Sequence, residues 1–172
     1  MDDSKPATSR RKRTSSSGSS SGQADYVLVA IAYAEEAIAD RRRERFGKWV
    51  RLAARRFLAD LKRARRKRPP FVWSAERANH ACAFVESLSH VEGVWDSETI
   101  RLEPAQVFFV VSLFGFRRPD GSRRFTTALF AVARKNAKST LAAAILLYVF
   151  CIEPDMGPQV LSAATTGQQA RI

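Results

Sequence analysis

FTTALFAVARKNAKSTLAAAILLYVF, running from Phe125 to Phe150, changes character twice. Phe125 to Ala133 is mostly apolar and β-rich without clean alternation, the pattern of a central parallel strand covered on both faces. Arg134 to Thr140 is polar, and from there to about Phe150 the residues favour a buried helix. Gln159 to Thr165 reads as a second buried strand beyond a loop at Glu153 to Pro158, so strand, loop, helix, loop and strand make one right-handed βαβ unit. A loop that binds phosphates needs backbone amides at a helix N-terminus, a lysine for the phosphate oxygens and a hydroxyl for Mg²⁺. Lys138 and Ser139 at this strand-to-helix turn are candidates for those roles. The pattern G-x-x-x-x-G-K-[ST] is nevertheless unmet, because Val132 and Ala137 stand at its glycine positions. On spacing alone, Lys138 and Ser139 equally suit the exposed start of an amphipathic helix. If position 137 requires positive φ, the alanine methyl costs roughly 1 to 2 kcal/mol and crowds the phosphate.

Upstream of this stretch, Pro119-Asp120-Gly121 is a turn between two short extended pieces. Glu103-Pro104 opens a helix whose Val107 to Phe114 are apolar on nearly every side and so require burial. Ser74 caps a helix to Leu88 that turns Ala78, Ala81 or Cys82, Val85 and Leu88 inward. Asp25 caps another over Tyr26 to Asp40. Arg41 to Arg68 places Phe46, Trp49, Val50, Ala53, Phe57 and Leu61 on one apolar stripe of a helix that Pro69-Pro70 ends. Met1 to Ala24 is rich in Ser, Gly, Lys and Arg, too polar to order itself, and is expected to be a disordered basic tail.

The 172 residues carry a net charge of +12, which implies a polyanionic partner. The excess is confined to the front: Met1 to Arg68 holds 19 Lys and Arg against 8 Asp and Glu, whereas Pro69 to Ile172 holds 10 against 9. The cationic face of Arg41 to Arg68 suits a DNA backbone, a solvated face packed on a core, or a membrane surface. Cys82 and Cys151 form no zinc-type spacing and are expected to be reduced core residues. The N-terminus has no apolar export signal, and the run Leu141 to Ile152 falls short of the ~20 residues that span a bilayer.

Four ordered stretches resemble one family. Ala133-Arg134-Lys135-Asn136-Ala137-Lys138-Ser139-Thr140-Leu141 is similar to the deviant Walker A loop of large terminase subunits in tailed bacteriophages. His90-Val91-Glu92-Gly93-Val94-Trp95 resembles the family's H-x-x-G-x-W stretch, and Leu102-Glu103-Pro104-Ala105-Gln106 its LEPWQ adenine motif, with Ala105 in place of Trp. Ser162 to Ile172 resembles its SAAT-x-x-QA segment. A helicase-like translocase outside packaging shares the phosphate loop but not LEP-x-Q and SAATT together.

The resemblance covers about residues 73 to 172. Joined to the basic tail (1–24) and basic helical region (25–70) read from composition and periodicity, it implies an α/β chain whose residues 71–172 are the start of a P-loop, ASCE-type, parallel-sheet ATPase domain, truncated. It implies an ATP and Mg²⁺ site in which Gln106 meets the adenine edge, Lys138 holds the β and γ phosphates and Ser139 ligates Mg²⁺. Arg134, Lys135, Asn136, Ala137 and Thr140 complete the loop, with Arg134 either an arginine finger or a partner for a carboxylate. The implied role is the ATP-binding part of a motor that packages double-stranded DNA into procapsids. Its implied partners are the terminase small subunit, the portal protein and further copies in a ring, in the host bacterial cytoplasm with no membrane. The family is an ATPase and endonuclease, but no acidic strand or nuclease follows Lys138, and Glu153 and Asp155 read as surface turn residues. Turnover by this chain alone is not expected, and its unpaired sheet edges predict poor solubility. The competing reading is a non-enzymatic, basic DNA-binding remnant with a vestigial P-loop.

Overall fold

A computed structural model describes residues 25–42, 44–90, 97–153, 159 and 161–163. The expected basic tail, the H-x-x-G-x-W stretch beyond His90, Asp155 and most of the SAATT segment lie outside them. The elements are α1 (Tyr26–Ala39), α2 (Lys48–Ala64), β1 (Val72–Trp73), α3 (Ala75–Ser87), α4 (Pro104–Gly115), β2 (Phe116–Arg117) and α5 (Lys138–Cys151).

Asp25 caps α1 by accepting from the amides of Val27 and Leu28, and Ser74 caps α3 by accepting from Arg77 N. Helix α1 turns Ala30, Ala34 and Ala37 into the core. These small side chains let α4 pack closely, and α4 lies against both α1 and α3. Val107, Val110, Val111 and Phe114 of α4 are buried, as its uniformly apolar sequence requires. The chain then reverses into β2, which pairs antiparallel with β1, Trp73 opposite Phe116. At this bend Trp73 lies where a side chain on Gly115 would project, within 2.2 Å of an added Cβ, so only glycine fits.

Arg41 to Arg68 is not one helix. The Asp40 carboxylate accepts from the amides of Glu44, Arg45 and Phe46, folding the described part of 41–47 into a capped turn before α2 begins. Phe46 is buried from this turn, whereas Trp49, expected on the inward stripe, is 75% exposed. The inward face of α2 carries Ala54, Phe57 and Asp60 instead. Phe57 makes edge-on contacts with Trp73, Phe108 and Phe116.

The buried Asp60 is an acid that the periodicity did not single out. Arg124 reaches it at 2.9 Å from beyond the 119–121 turn, and Arg63 approaches at 3.4 Å. The Arg124 guanidinium lies 3.6 Å from the Phe71 ring centroid, with Phe116 and Phe125 also in range. The charge is thus stacked between aromatic rings and neutralised by a carboxylate, the arrangement that makes a half-buried arginine tolerable.

Three further expectations are corrected. The parallel sheet is not present among the described residues: the only sheet there is the two-stranded β1–β2 ribbon, and neither Phe125 to Ala133 nor the described part of Gln159 to Thr165 is a strand. A strand needs a neighbour for its amides and carbonyls, and 125–133 has none among the described residues; it is anchored by half-buried Phe125 and Phe130. Helix α5 buries one face, through Leu141, Ala144 and Tyr148, and leaves Leu147 and Phe150 exposed. Cys151 is exposed, while Cys82 is fully buried.

Two measurements test this packing. Asp60→Ala leaves the half-buried Arg124 without its counter-charge and is expected to lower unfolding free energy by about 2 kcal/mol in a denaturant melt. Burial, then the nearby Glu86 carboxylate, pushes the Cys82 thiol up to about 12. At pH 8 a thiol reagent should therefore modify Cys151 rapidly and Cys82 only on unfolding.

Candidate functional site

The turn that enters α5 is shaped by its own side chains. Lys138 Nζ donates to the carbonyls of Val132 at 3.1 Å and Ala133 at 2.7 Å. Asn136 Nδ2 donates to the carbonyls of Ala133 and Arg134, both at 3.2 Å. The backbone is thereby curled around the lysine, and Lys138 does not point away into solvent.

Lys135 and Ala137 hold the left-handed conformation, with φ of 64° and 47°. Ala137 therefore occupies the backbone geometry for which glycine is the usual residue. No side chain caps α5, and the first bond back to Ala137 O comes from Leu141 N at 2.9 Å. The amides of Lys138, Ser139 and Thr140 consequently lack intrahelical acceptors and converge at the positive end of the helix dipole. Alternating left-handed residues before such an end form the concave amide arrangement that suits an anion. Ser139 is exposed at its rim.

Beside the turn is a cavity of about 770 Å³ that runs from the start of α4 to the start of α5. Glu103, Ala105 and Gln106 line one end; Lys135, Asn136, Ala137 and Thr140 line the other. The cavity thus brings Gln106 together with Lys135, Asn136, Ala137 and Thr140, about thirty positions away in sequence, while Arg134, Lys138 and Ser139 of the same turn do not line it. Arg134 is exposed and forms no ion pair among the described residues, so the carboxylate-partner alternative finds no carboxylate there.

Gln106 has a structural duty as well. Its Oε1 accepts from Glu103 N at 2.9 Å, half of a capping box at the start of α4. This bond fixes the amide and leaves its NH₂ group as the end that can meet a ligand. The segment leading into α4 is held by Glu86, which accepts from Leu102 N at 2.9 Å and from the Tyr26 hydroxyl at 2.6 Å. Burial, followed by that bond, pushes the Tyr26 phenol well above its ordinary range and keeps it a donor.

Sequence reasoning missed several members of the site. Phe130 lines the cavity and packs on Phe109 with centroids 4.7 Å apart, giving an aromatic wall near the small Ala105. Its sequence signal was that of any core strand residue. Glu153, expected at a surface turn, is buried instead. Both Arg117 terminal nitrogens meet its carboxylate, one at 2.7 Å, tying the C-terminal end of α5 to β2. Among the described residues no group of three His, Cys, Asp or Glu is placed to hold a metal. A Mg²⁺ ion at this turn would rest on Ser139 Oγ and the ligand's own phosphates, which is how such ions are commonly held.

The family model described as terminase large subunit, ATPase domain, matches residues 104–172. That stretch of the chain is similar to the terminase large-subunit ATPase domain. The match begins at the N-terminus of α4 and takes in Gln106, the phosphate-type turn and α5, while His90 and Ile100 to Glu103, which also line the cavity, lie before it. An ATPase domain of this kind uses nucleotide. Comparison with curated proteins and with solved structures gave no match. No described helix is long and apolar enough to cross a membrane.

The strained alanine gives a direct test. Ala137→Gly removes the Cβ from a left-handed residue, and the gain outweighs the added flexibility of the unfolded chain. The variant should be more stable by about 0.5–1 kcal/mol in a denaturant melt.

Proposed function

We propose that this chain is the ATP-Mg²⁺-binding front of a terminase large subunit, part of the motor that drives double-stranded DNA into procapsids. The observation that carries the reading is the left-handed turn at Lys135 and Ala137, which opens onto uncapped amides at the α5 N-terminus and onto the cavity shared with Gln106.

In this reading the triphosphate lies along the amides of Lys138, Ser139 and Thr140. Lys138 exchanges its bonds to the Val132 and Ala133 carbonyls for the β and γ phosphates, so the turn opens as nucleotide enters. Ser139 supplies a hydroxyl ligand to Mg²⁺, which when bound neutralises phosphate charge. The base occupies the far end of the cavity, where the Gln106 NH₂ donates to an adenine ring nitrogen and Phe130 offers an apolar face in place of the family's Trp. Arg134, exposed and without an ion pair among the described residues, would reach a transferring phosphate. The terminase small subunit, the portal protein and further copies in a ring belong to the same proposal, as does action in the host cytoplasm.

Titration with a fluorescent ATP analogue in the presence of Mg²⁺ tests the site. Lys138→Ala should weaken binding roughly 10- to 100-fold, the scale of one lost charge-assisted bond. Gln106→Glu keeps the acceptor that caps α4 but replaces the NH₂ donor, so it should reduce preference for ATP over GTP while leaving the melting temperature close to wild type. Unchanged affinity in Lys138→Ala would leave the second reading, a basic DNA-binding protein with a vestigial loop.

A further inference from the structure

The solvent face of α2 is a cationic ridge that the nucleotide site does not use. Lys48, Arg55 and Lys62 stand seven residues apart on one exposed stripe, with Leu52 and Ala59 between them, and Arg66 continues it past the helix end. Arg56 and Arg63 flank the stripe, and Arg65, Lys67 and Arg68 add exposed charge beyond Ala64. Seven residues of α-helix span about 10 Å, so the ridge presents a positive charge at each such step along one side. Between Lys48 and Arg68 the one acidic residue in the sequence is Asp60, which is buried at 2% exposure and faces Arg124 and Arg63. The exposed face is therefore cationic without acidic relief.

The apolar side of the same helix separates two kinds of polyanion. A basic amphipathic helix binds a membrane by sinking its apolar face among the lipid chains. Here that face is committed: Ala54 and Phe57 are buried, and the Phe57 ring is enclosed by Trp73, Phe108 and Phe116. Only Trp49 and Leu52 remain exposed, which is too little apolar surface to anchor a helix in lipid. A phosphate backbone, by contrast, needs charge on an exposed rigid ridge and no apolar insertion.

We infer that the Lys48, Arg55 and Lys62 ridge of α2 is a docking surface for the backbone of duplex DNA, independent of base sequence. The ridge deepens the reading of a DNA-handling motor without resting on the nucleotide site, since it lies on a different element and needs no ATP.

Fluorescence anisotropy of a labelled random-sequence duplex, titrated with the full chain without nucleotide over a salt series, tests the inference. The triple variant Lys48→Gln, Arg55→Gln and Lys62→Gln should bind at least ten-fold more weakly at low salt. The slope of log affinity against log salt should become shallower by about 2 to 3, near 0.9 for each phosphate left without its cation. The charge-preserving triple Lys48→Arg, Arg55→Lys and Lys62→Arg should bind as wild type, which separates the effect of charge from that of misfolding. Lys138→Ala should also bind duplex as wild type, even as it loses ATP. Equal affinity and slope in the glutamine triple and wild type would overturn the inference. So would wild-type binding to phosphatidylserine vesicles that persists when duplex is not bound.

Discussion

Helix α4 has no side it can leave in water, and the rest of the molecule follows from covering it. Val107, Val110, Val111 and Phe114 are each buried, and each contributes on the order of 1.5–3 kcal/mol by leaving water. The cover comes from the alanine face of α1 and from Ala78, Cys82 and Val85 of α3. Because α4 is gripped on both sides, its N-terminal turn is a fixed platform. Gln106, on that turn, faces a cavity of set shape although the residues opposite come from an irregular segment.

Two ion pairs hold that opposite side, one buried on both sides and one joining a half-buried arginine to a buried carboxylate. Arg124 on Asp60 fixes the chain just before the irregular stretch 125–133, and Arg117 on Glu153 fixes the C-terminal end of α5 just after the phosphate-type turn. A buried pair adds little net stability compared with apolar residues of the same size, but it is costly to break and demands one geometry. Here such pairs bracket a segment that lacks a β-ladder, supplying the register that strand pairing would otherwise supply. The aromatic cluster of Phe57, Phe71, Trp73 and Phe116 forms the dry surroundings that make the Asp60 pair directional.

Local strain sits where the chemistry is proposed. Ala137 holds a conformation that costs an L-residue about 1 to 2 kcal/mol, and its neighbours lock it there through Lys138 and Asn136 bonds to the turn's own carbonyls. These internal hydrogen bonds hold the turn curled around the lysine until an anion takes the lysine over, while the left-handed backbone that precedes the α5 amides is already in place. The departure from glycine changes the cost of the turn, not its shape.

Whatever depends on neighbours along the chain was legible in the order of the residues. The Asp25 and Ser74 caps, the helices from 26, 75 and 104, a helix after the 134–140 loop and the Pro119-Asp120-Gly121 turn follow from local bonding and sterics, whereas the positive φ at residue 137 is a condition that only the folded turn decides. The ordered LEP-x-Q and phosphate-loop stretches pointed to the family whose ATPase-domain model matches residues 104–172. Which apolar faces are covered and which charges are paired emerged only when the elements packed. Periodicity gave Trp49 an inward place because it measures amphipathicity, whereas the Asp40-capped turn before α2 and the partners available set the helix's actual rotation. Glu153 read as a surface turn residue and periodicity did not single out Asp60, because Arg117 and Arg124 lie 36 and 64 positions away, a separation at which no local pattern carries information. Phe130 and Gln106 meet across one cavity for the same reason: packing brings them together through contacts that no local stretch of chain encodes.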